Sequence, residues 1–90
     1  MKIFKYPLED EDQQQIMLPV NAEILTVQMQ GNTLCLWAKV DETAHLENRR
    51  EERTIEQLGT GWPLNDDKRR YLGTIQRGPL VWHVFEKEQV

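Results

Sequence analysis

The sequence predicts a mainly β protein, a small antiparallel β-sandwich or partly open barrel of about six to seven short strands with one short helix at about 42–52. Three observations favour this class. Apolar and polar residues alternate along several short runs. Turn-forming residues separate these runs at intervals of roughly ten residues. The chain has 90 residues, which suffice for one domain spanning 1–90 but not for two. An α+β roll with one helix is the alternative fold.

The composition is that of a soluble protein. Hydrophobic residues make up 39% of the chain, charged residues 29%, and the formal net charge is −4, values outside the disordered and membrane classes. No apolar run reaches the length of a membrane span. Because phosphate contacts need clustered Lys and Arg, the negative charge disfavours direct nucleic-acid binding. The single cysteine, Cys35, cannot form an internal disulfide, so we expect a buried thiol and a reducing cytoplasm.

The first two predicted strands lie on either side of four acidic residues. Residues 3–8 form the first strand and residues 13–18 the second, which Pro19 ends because proline lacks an amide donor. We call residues 9–12 the acidic segment and expect a solvated turn there, with imitation of nucleic-acid phosphates as the less favoured interpretation. The two strands are expected to pair as a hairpin, with the second at a sheet edge.

The clearest hairpin pattern covers residues 22–40. Two alternating runs flank Gly31-Asn32, a dipeptide typical of tight hairpin turns. In the first arm Val27 and Ile24 are expected on opposite faces. The second arm is apolar on both faces, which predicts a strand in the centre of a sheet.

The middle of the chain is rich in charge and poor in apolar residues. Asp41 is a suitable N-cap, so residues 41–53 are expected to form a flexible loop or a single amphipathic helix. Residues 54–58 then read as another strand.

The last twenty residues predict a second hairpin, with arms at 71–76 and 80–85 and a turn at residues 77–79. In its second arm Trp82 alternates with His83, and both faces carry apolar residues. We therefore expect this strand to be buried on both sides.

The loop after the 54–58 strand holds the first candidate binding residues. Gly59, Thr60 and Gly61 either present successive backbone amides to an anion or form a tight structural turn, which is the favoured interpretation. Trp62 lies in the same Gly/Pro loop, where burial is hard to arrange, and is the best candidate for an exposed aromatic contact. Trp37 and Trp82 lie within alternating strands and are expected in the core.

Three arginines are further candidates. Arg69, Arg70 and Arg77 would line a pocket for an anionic ligand through bidentate contacts, or else pair with nearby glutamates, which is the favoured alternative.

Catalytic and metal-binding patterns are weak. No spacing links His45, His83 and Cys35 into a metal site, and no third residue is placed to orient Cys35 and His83 as a nucleophile–base pair. A hydrogen-bonded, half-buried role is expected for His83. We therefore expect no metal, no cofactor and no enzymatic activity.

The segment Y-L-G-T-I-Q-R-G-P-L-V-W-H-V-F-E at residues 71–86 resembles the C-terminal signature of a small bacteriophage-encoded domain family of unknown function. Earlier segments at residues 2–6, 22–28, 35–38 and 59–63 resemble it too, in the expected order. Where that family often has a histidine after Gly-Thr-Gly, this chain has Trp62. The resemblance implies a phage or prophage origin and action inside a bacterial cell.

The leading functional hypothesis is a non-enzymatic phage protein that binds and inhibits a host protein in the host cell cytoplasm, with a protein of an antiviral defence pathway as one candidate. Binding would use a sheet edge or the Trp62 loop, with residues 49–53 as a polar rim. One alternative is sequestration of a nucleotide-type signalling ligand, with phosphate on residues 59–61, the base on Trp62 and charge from the three arginines, in a pocket that a homodimer would complete. A minor virion component is the other.

Overall fold

The computed structural model describes residues 1–65 and 68–88, which form seven strands and one short helix. The strands are β1 (Lys2–Pro7), β2 (Gln13–Pro19), β3 (Glu23–Gln30), β4 (Thr33–Val40), β5 (Arg50–Gly59), β6 (Arg69–Arg77) and β7 (Leu80–Lys87), and helix α1 is Glu42–Leu46. Sheet A has the order β1-β4-β3 and sheet B the order β2-β5-β7-β6, and all pairings are antiparallel. The predicted mainly β class is confirmed, and the two sheets do not close into a barrel.

Both strongly predicted hairpins are present. Gln30 pairs with Thr33 around Gly31-Asn32, and Gly31 has the positive φ of 61° that this kind of turn requires. Strands β6 and β7 are joined by an equally short turn at residues 78–79. As predicted, β4 lies in the centre of its sheet and β2 at an edge.

The predicted β1–β2 hairpin is wrong. Strand β1 pairs with β4 in sheet A, whereas β2 pairs with β5 in sheet B. The acidic segment crosses between the sheets and is held at both ends: Leu8 N donates to Leu34 O at 2.9 Å, and Gln57 N donates to Asp12 O at 2.8 Å. Because these backbone bonds go to different sheets, the segment cannot form a hairpin turn.

The predicted helix at 42–52 is only five residues long. Asp41 caps it as expected, since its side chain accepts a hydrogen bond from Thr43 N at 2.9 Å. The helix ends before Asn48, which adopts a left-handed φ of 57°, and β5 begins at Arg50. Residues 50–53 are therefore strand, because their backbone pairs with β2. No helix in the described part of the chain is long and apolar enough to cross a membrane.

The core lies between the facing sides of the two sheets. Its fully buried members include Leu18, Ile24, Leu36, Ile55 and Val84. A β-bulge at residue 25 interrupts the alternation of β3, so Ile24 and Val27 are both buried, contrary to the predicted opposite faces.

Strand β7 is only partly buried. Val84 and Phe85 are buried, but Leu80 and Val81 remain 57% and 37% exposed. The prediction of burial on both sides therefore holds for the second half of this strand. Its first two residues extend beyond the core and carry exposed apolar side chains.

Candidate functional site

A tight turn ends strand β5. Trp62 N donates to Gly59 O at 3.0 Å, and Gly61, the third residue of the turn, has a φ of 91°. A positive φ at that position is typical of a type II turn and is readily adopted only by glycine. The predicted structural turn is confirmed.

The same bonds leave few amides for an anion. Thr60 N donates to Val81 O at 3.4 Å, and Trp62 N is used inside the turn. An anion-binding nest needs successive free N–H groups that point to one place. The geometry of residues 59–62 therefore does not support the anion-nest interpretation.

Trp62 is held in place although its side chain is exposed. The indole folds back over Gly59, where an added Cβ would lie 2.8 Å from Nε1. It also meets the ring of Trp82 edge-on, with centroids 5.3 Å apart and an interplanar angle of 87°. Trp62 is nevertheless 46% exposed, as predicted, whereas Trp82 packs against the core. Trp37 is half-buried in sheet A and lies outside the core cluster.

A groove of ≈ 470 Å³ lies beside this pair of tryptophans. We call it the aromatic groove; it is lined by Gly59, Thr60, Trp62, Pro79, Leu80, Val81 and Trp82. A smaller cavity of ≈ 250 Å³ on the other side of the turn is lined by Leu58, Leu64, Tyr71, His83, Phe85 and the turn itself. Neither lining includes a Lys or Arg among the described residues.

His83 connects the turn to the sheet. Its Nε2 shares a hydrogen bond with Thr60 Oγ1 at 2.8 Å, and its Nδ1 shares one with Thr74 Oγ1 at 3.0 Å. Thr74 is hydrogen-bonded in turn to the Tyr71 hydroxyl. Thr74 is neutral, so it can orient the imidazole but does not offset a positive charge on the ring as a carboxylate would. The predicted hydrogen-bonded role of His83 is confirmed, and the chain of bonds fixes the position of Thr60.

Two of the candidate arginines lie away from the turn. Arg69 Nε donates to Glu56 Oε1 at 2.8 Å, and its guanidinium also bonds to the backbone carbonyl of Asn65. Arg70 donates to Ile24 O at 2.7 Å. Both are at the end of β6 that pairs with residues 86–87, whereas Gly59 pairs with Trp82. The structure therefore does not bring these two arginines to Trp62.

Arg77 lies closer to the groove but is already engaged. Its guanidinium donates to Gln57 Oε1 at 2.9 Å and pairs with Asp10 Oδ1 at 3.0 Å. Gln57 is only 2% exposed and also donates to Glu11 O at 2.9 Å. Arg77 and Gln57 thus hold the acidic segment against sheet B.

The other half of sheet B carries buried ion pairs. We call Arg53, Glu56, Arg69 and Glu86 the charged half of sheet B. Arg53 and Glu86 form a two-bond pair whose side chains are 14% and 13% exposed, and Arg53 also donates to Ala22 O at 2.9 Å. The hydrogen bond to Glu86 raises the pKa of the Arg53 guanidinium above its usual value.

The predicted polar rim at residues 49–53 does not border the Trp62 loop. Arg50 begins β5 and Gly59 ends it, so the two lie roughly 30 Å apart along an extended strand. Arg53 is also committed to Glu86. This prediction is wrong, because the length of strand β5 separates the two segments.

The possible metal ligands noted in the sequence lie apart. Cys35 is buried in sheet A, the ring of His45 meets the ring of Phe4 edge-on, and His83 lies in sheet B. Within residues 1–65 and 68–88, no group of three or more His, Cys, Asp or Glu could hold a metal ion.

Sequence reasoning missed two features of the site. The first is that Leu80 and Val81 line the groove. Their position directly after a two-residue turn could have indicated exposure, because the tip of a hairpin extends beyond the rest of the sheet there. The role of Gln57 had no clear local signal, because this residue follows Glu56 in a run that mixes polar and apolar residues.

Fold and site together define a small antiparallel β-sandwich domain with an exposed aromatic groove at one end of its larger sheet. The chain belongs to the family described as Domain of unknown function (DUF7352), whose model matches residues 1–90. No curated protein and no solved structure matches the chain significantly.

Proposed function

We propose that this chain is a protein-binding domain of phage or prophage origin, which acts in the host cytoplasm by binding and inhibiting a host protein. A protein of an antiviral defence pathway is one candidate target. The observation that carries the proposal is Trp62, which is fixed by its contacts with Gly59 and Trp82 and is still 46% exposed. A partner that covers this ring would not have to order it first, so little binding energy would be lost to immobilisation.

The surroundings of Trp62 suit a protein surface. Leu80 is 57% exposed and Val81 37%, and both line the aromatic groove. Apolar side chains exposed together at one place mark interaction sites more often than isolated ones. Tryptophan is also among the residues that contribute most to protein–protein binding energy.

The phage origin rests on the resemblance of residues 71–86 to the signature of a phage-encoded family. This segment corresponds to hairpin β6–β7, which contributes Leu80, Val81 and Trp82 to the groove. The resemblance and the groove therefore concern the same part of the chain.

The test is capture of a partner from a bacterial host lysate with the tagged chain and matched variants. Leu80→Ala and Leu46→Ala make the same change at exposed leucines, one in the groove and one on helix α1 (57% and 80% exposed). We expect one stoichiometric host protein with the wild type and Leu46→Ala, a reduced yield with Leu80→Ala, and an affinity about 30-fold lower for Trp62→Ala, as at a binding hot spot. Addition of the chain should also inhibit that host protein. Undiminished capture by Trp62→Ala contradicts the proposal.

Two alternative functions, nucleotide sequestration and a role in the virion, are tested separately. The arginines assigned to a nucleotide are held by Glu56, Ile24 O and Gln57, which leaves the nucleotide alternative with less support. Calorimetry with cyclic and ADP-ribose-type nucleotides tests it, together with sedimentation to detect a homodimer that shares the pocket. Recovery of the chain from purified phage particles, and not only from infected cells, would favour the virion component.

A further inference from the structure

The aromatic groove has an acidic border. Gly59, which lines the groove, lies two residues beyond Gln57 on the same face of β5, about 7 Å along the strand. Gln57 N and Nε2 donate to the carbonyls of Asp12 and Glu11 at 2.8 and 2.9 Å. These bonds place the acidic segment beside the groove.

A second connection fixes the same segment from the other side. Arg77, which pairs with Asp10, is the register partner of Leu80, and Leu80 lines the groove. The acidic segment is therefore attached to β5, which contributes Gly59 to the groove, and to the last residue of β6, which pairs with Leu80. Its position is fixed by the backbone and the buried side chain of Gln57 and by the ion pair of Arg77 with the exposed Asp10.

The carboxylates of this segment face water. Residues 9–12 are all exposed, and the Asp10 side chain is 81% exposed even in its pair with Arg77. Four carboxylates are thus set against one guanidinium. Neither cavity beside Trp62 is lined by a Lys or Arg among the described residues, so the lining adds no positive charge to this border.

We infer that the groove takes a segment of a partner protein in which one apolar side chain is flanked by Lys or Arg. The apolar side chain packs between Trp62, Trp82 and Leu80, and the basic side chains reach residues 9–12. The long aliphatic stems of Lys and Arg also suit the exposed face of an indole. This inference rests on the proposed protein-binding function and specifies the chemistry of the partner.

The same charge argues against two other occupants. Anionic lipid headgroups and nucleic-acid phosphates would be repelled by the four carboxylates. In a two-fold dimer formed through the groove, the acidic borders of both copies would lie in one interface and repel each other. A basic protein segment is the occupant for which the charge and the apolar lining are both favourable.

The experiment uses the full chain and three dye-labelled nine-residue peptides that share one central Phe and carry Lys, Ser or Glu on both sides of it. Fluorescence anisotropy is measured at low and high salt. We expect the Lys peptide to bind tightest and the Glu peptide weakest, with a Kd ratio of at least about tenfold at low salt that shrinks at high salt.

Matched charge reversals locate the effect. Glu11→Lys and Glu88→Lys change the net charge equally, but Glu88 follows β7 at the end of the strand opposite Leu80. Glu11→Lys should weaken the Lys peptide roughly two- to fivefold and strengthen the Glu peptide by a similar factor. Glu88→Lys should leave both unchanged.

Equal binding of the three peptides, tightest binding of the Glu peptide, or no binding of any of them overturns the inference. Binding to anionic phospholipid vesicles, or self-association of the wild type that Trp62→Ala abolishes, also overturns it. The proposed function still stands if host-protein capture depends on Trp62 while the peptide charges have no effect. If capture does not depend on Trp62, the proposed function itself fails.

Discussion

The charged half of sheet B and its aromatic groove differ in how far their side chains are satisfied within the chain. Arg53 is paired with Glu86 and Arg69 with Glu56, and all four side chains are less than one-fifth exposed. Trp62 and Leu80 in the groove are each about half exposed. A group that already has its partner inside the chain stabilises the fold, whereas exposed, fixed apolar side chains can still gain from burial against another molecule.

This contrast has a physical cause. A charge removed from water without a partner costs several kcal/mol, so the buried arginines of this small domain have carboxylate partners. An exposed indole carries no such penalty. It merely forgoes the free energy that burial of its apolar area would give.

The variant with the largest expected effect on stability tests the charged half of sheet B. Glu86→Ala leaves the mostly buried Arg53 guanidinium without its carboxylate and should lower the free energy of unfolding by about 2–4 kcal/mol. Glu47→Ala is the matched control, because Glu47 pairs with Arg49 at 2.8 Å but both side chains are more than half exposed. It should change stability by less than about 0.5 kcal/mol. Similar effects of the two variants in urea unfolding would show that burial of the ion pair does not matter.

An intermediate effect tests how the groove is built. Gly59→Ala places a Cβ 2.8–2.9 Å from the Trp62 ring, so the ring must shift from its present position against Trp82. We expect a loss of roughly 1 kcal/mol, a change in tryptophan fluorescence and weaker partner binding.

The control is the same change in a chain without the indole. If the clash with Trp62 is the cause, Gly59→Ala should have almost no effect in the Trp62→Ala background, so the double-mutant cycle is non-additive. Equal effects in both backgrounds would assign the loss to the backbone of the turn.

The smallest effect concerns Tyr6 in β1. Its hydroxyl is buried, and no hydrogen-bond partner for it is found in the described part of the chain. Tyr6→Phe should therefore leave stability unchanged or raise it by up to about 1 kcal/mol. A clear loss would show that the hydroxyl is bonded in solution.

The pH dependence of the same variant gives a second readout. Burial raises the pKa of Tyr6, against the opposing charge of Arg50. The folded chain thus holds the phenol proton more tightly than the unfolded chain, and this contribution is complete below about pH 10 and lost as the pH rises through the folded-state pKa. We expect the advantage of Tyr6→Phe over the wild type to increase in this alkaline range.

The parts of the fold that the sequence could predict depend on local chemistry. Gly31-Asn32 specifies a hairpin by its own backbone preference. The residue pattern along β4 shows that both faces of this strand are apolar. The partner of β1 could not be predicted, because alternation identifies a strand but not the strand with which it pairs. The bulge at residue 25 was hidden for a similar reason, since an extra residue in a strand leaves little trace in composition.

In the candidate site, too, features set by the local sequence could be predicted and features set by distant residues could not. Trp62 was predicted from its Gly/Pro neighbourhood, which is local. The three candidate arginines, Arg69, Arg70 and Arg77, bond to residues 13, 46 and 20 positions away in the chain. They therefore do not form a basic pocket, although the sequence suggested one. The acidic segment was expected to be solvated, and its attachment to Gln57 and Arg77 is equally non-local.

The most direct test of the central claim measures stability and binding on one variant, Trp62→Ala. If Trp62 serves a partner more than the fold, the free energy of unfolding should fall by no more than about 1 kcal/mol, since the ring is half exposed. Calorimetry with the captured host protein should then show a Kd about 30-fold higher. Unchanged affinity together with a loss of several kcal/mol of stability would contradict the account, because Trp62 would then belong to the core.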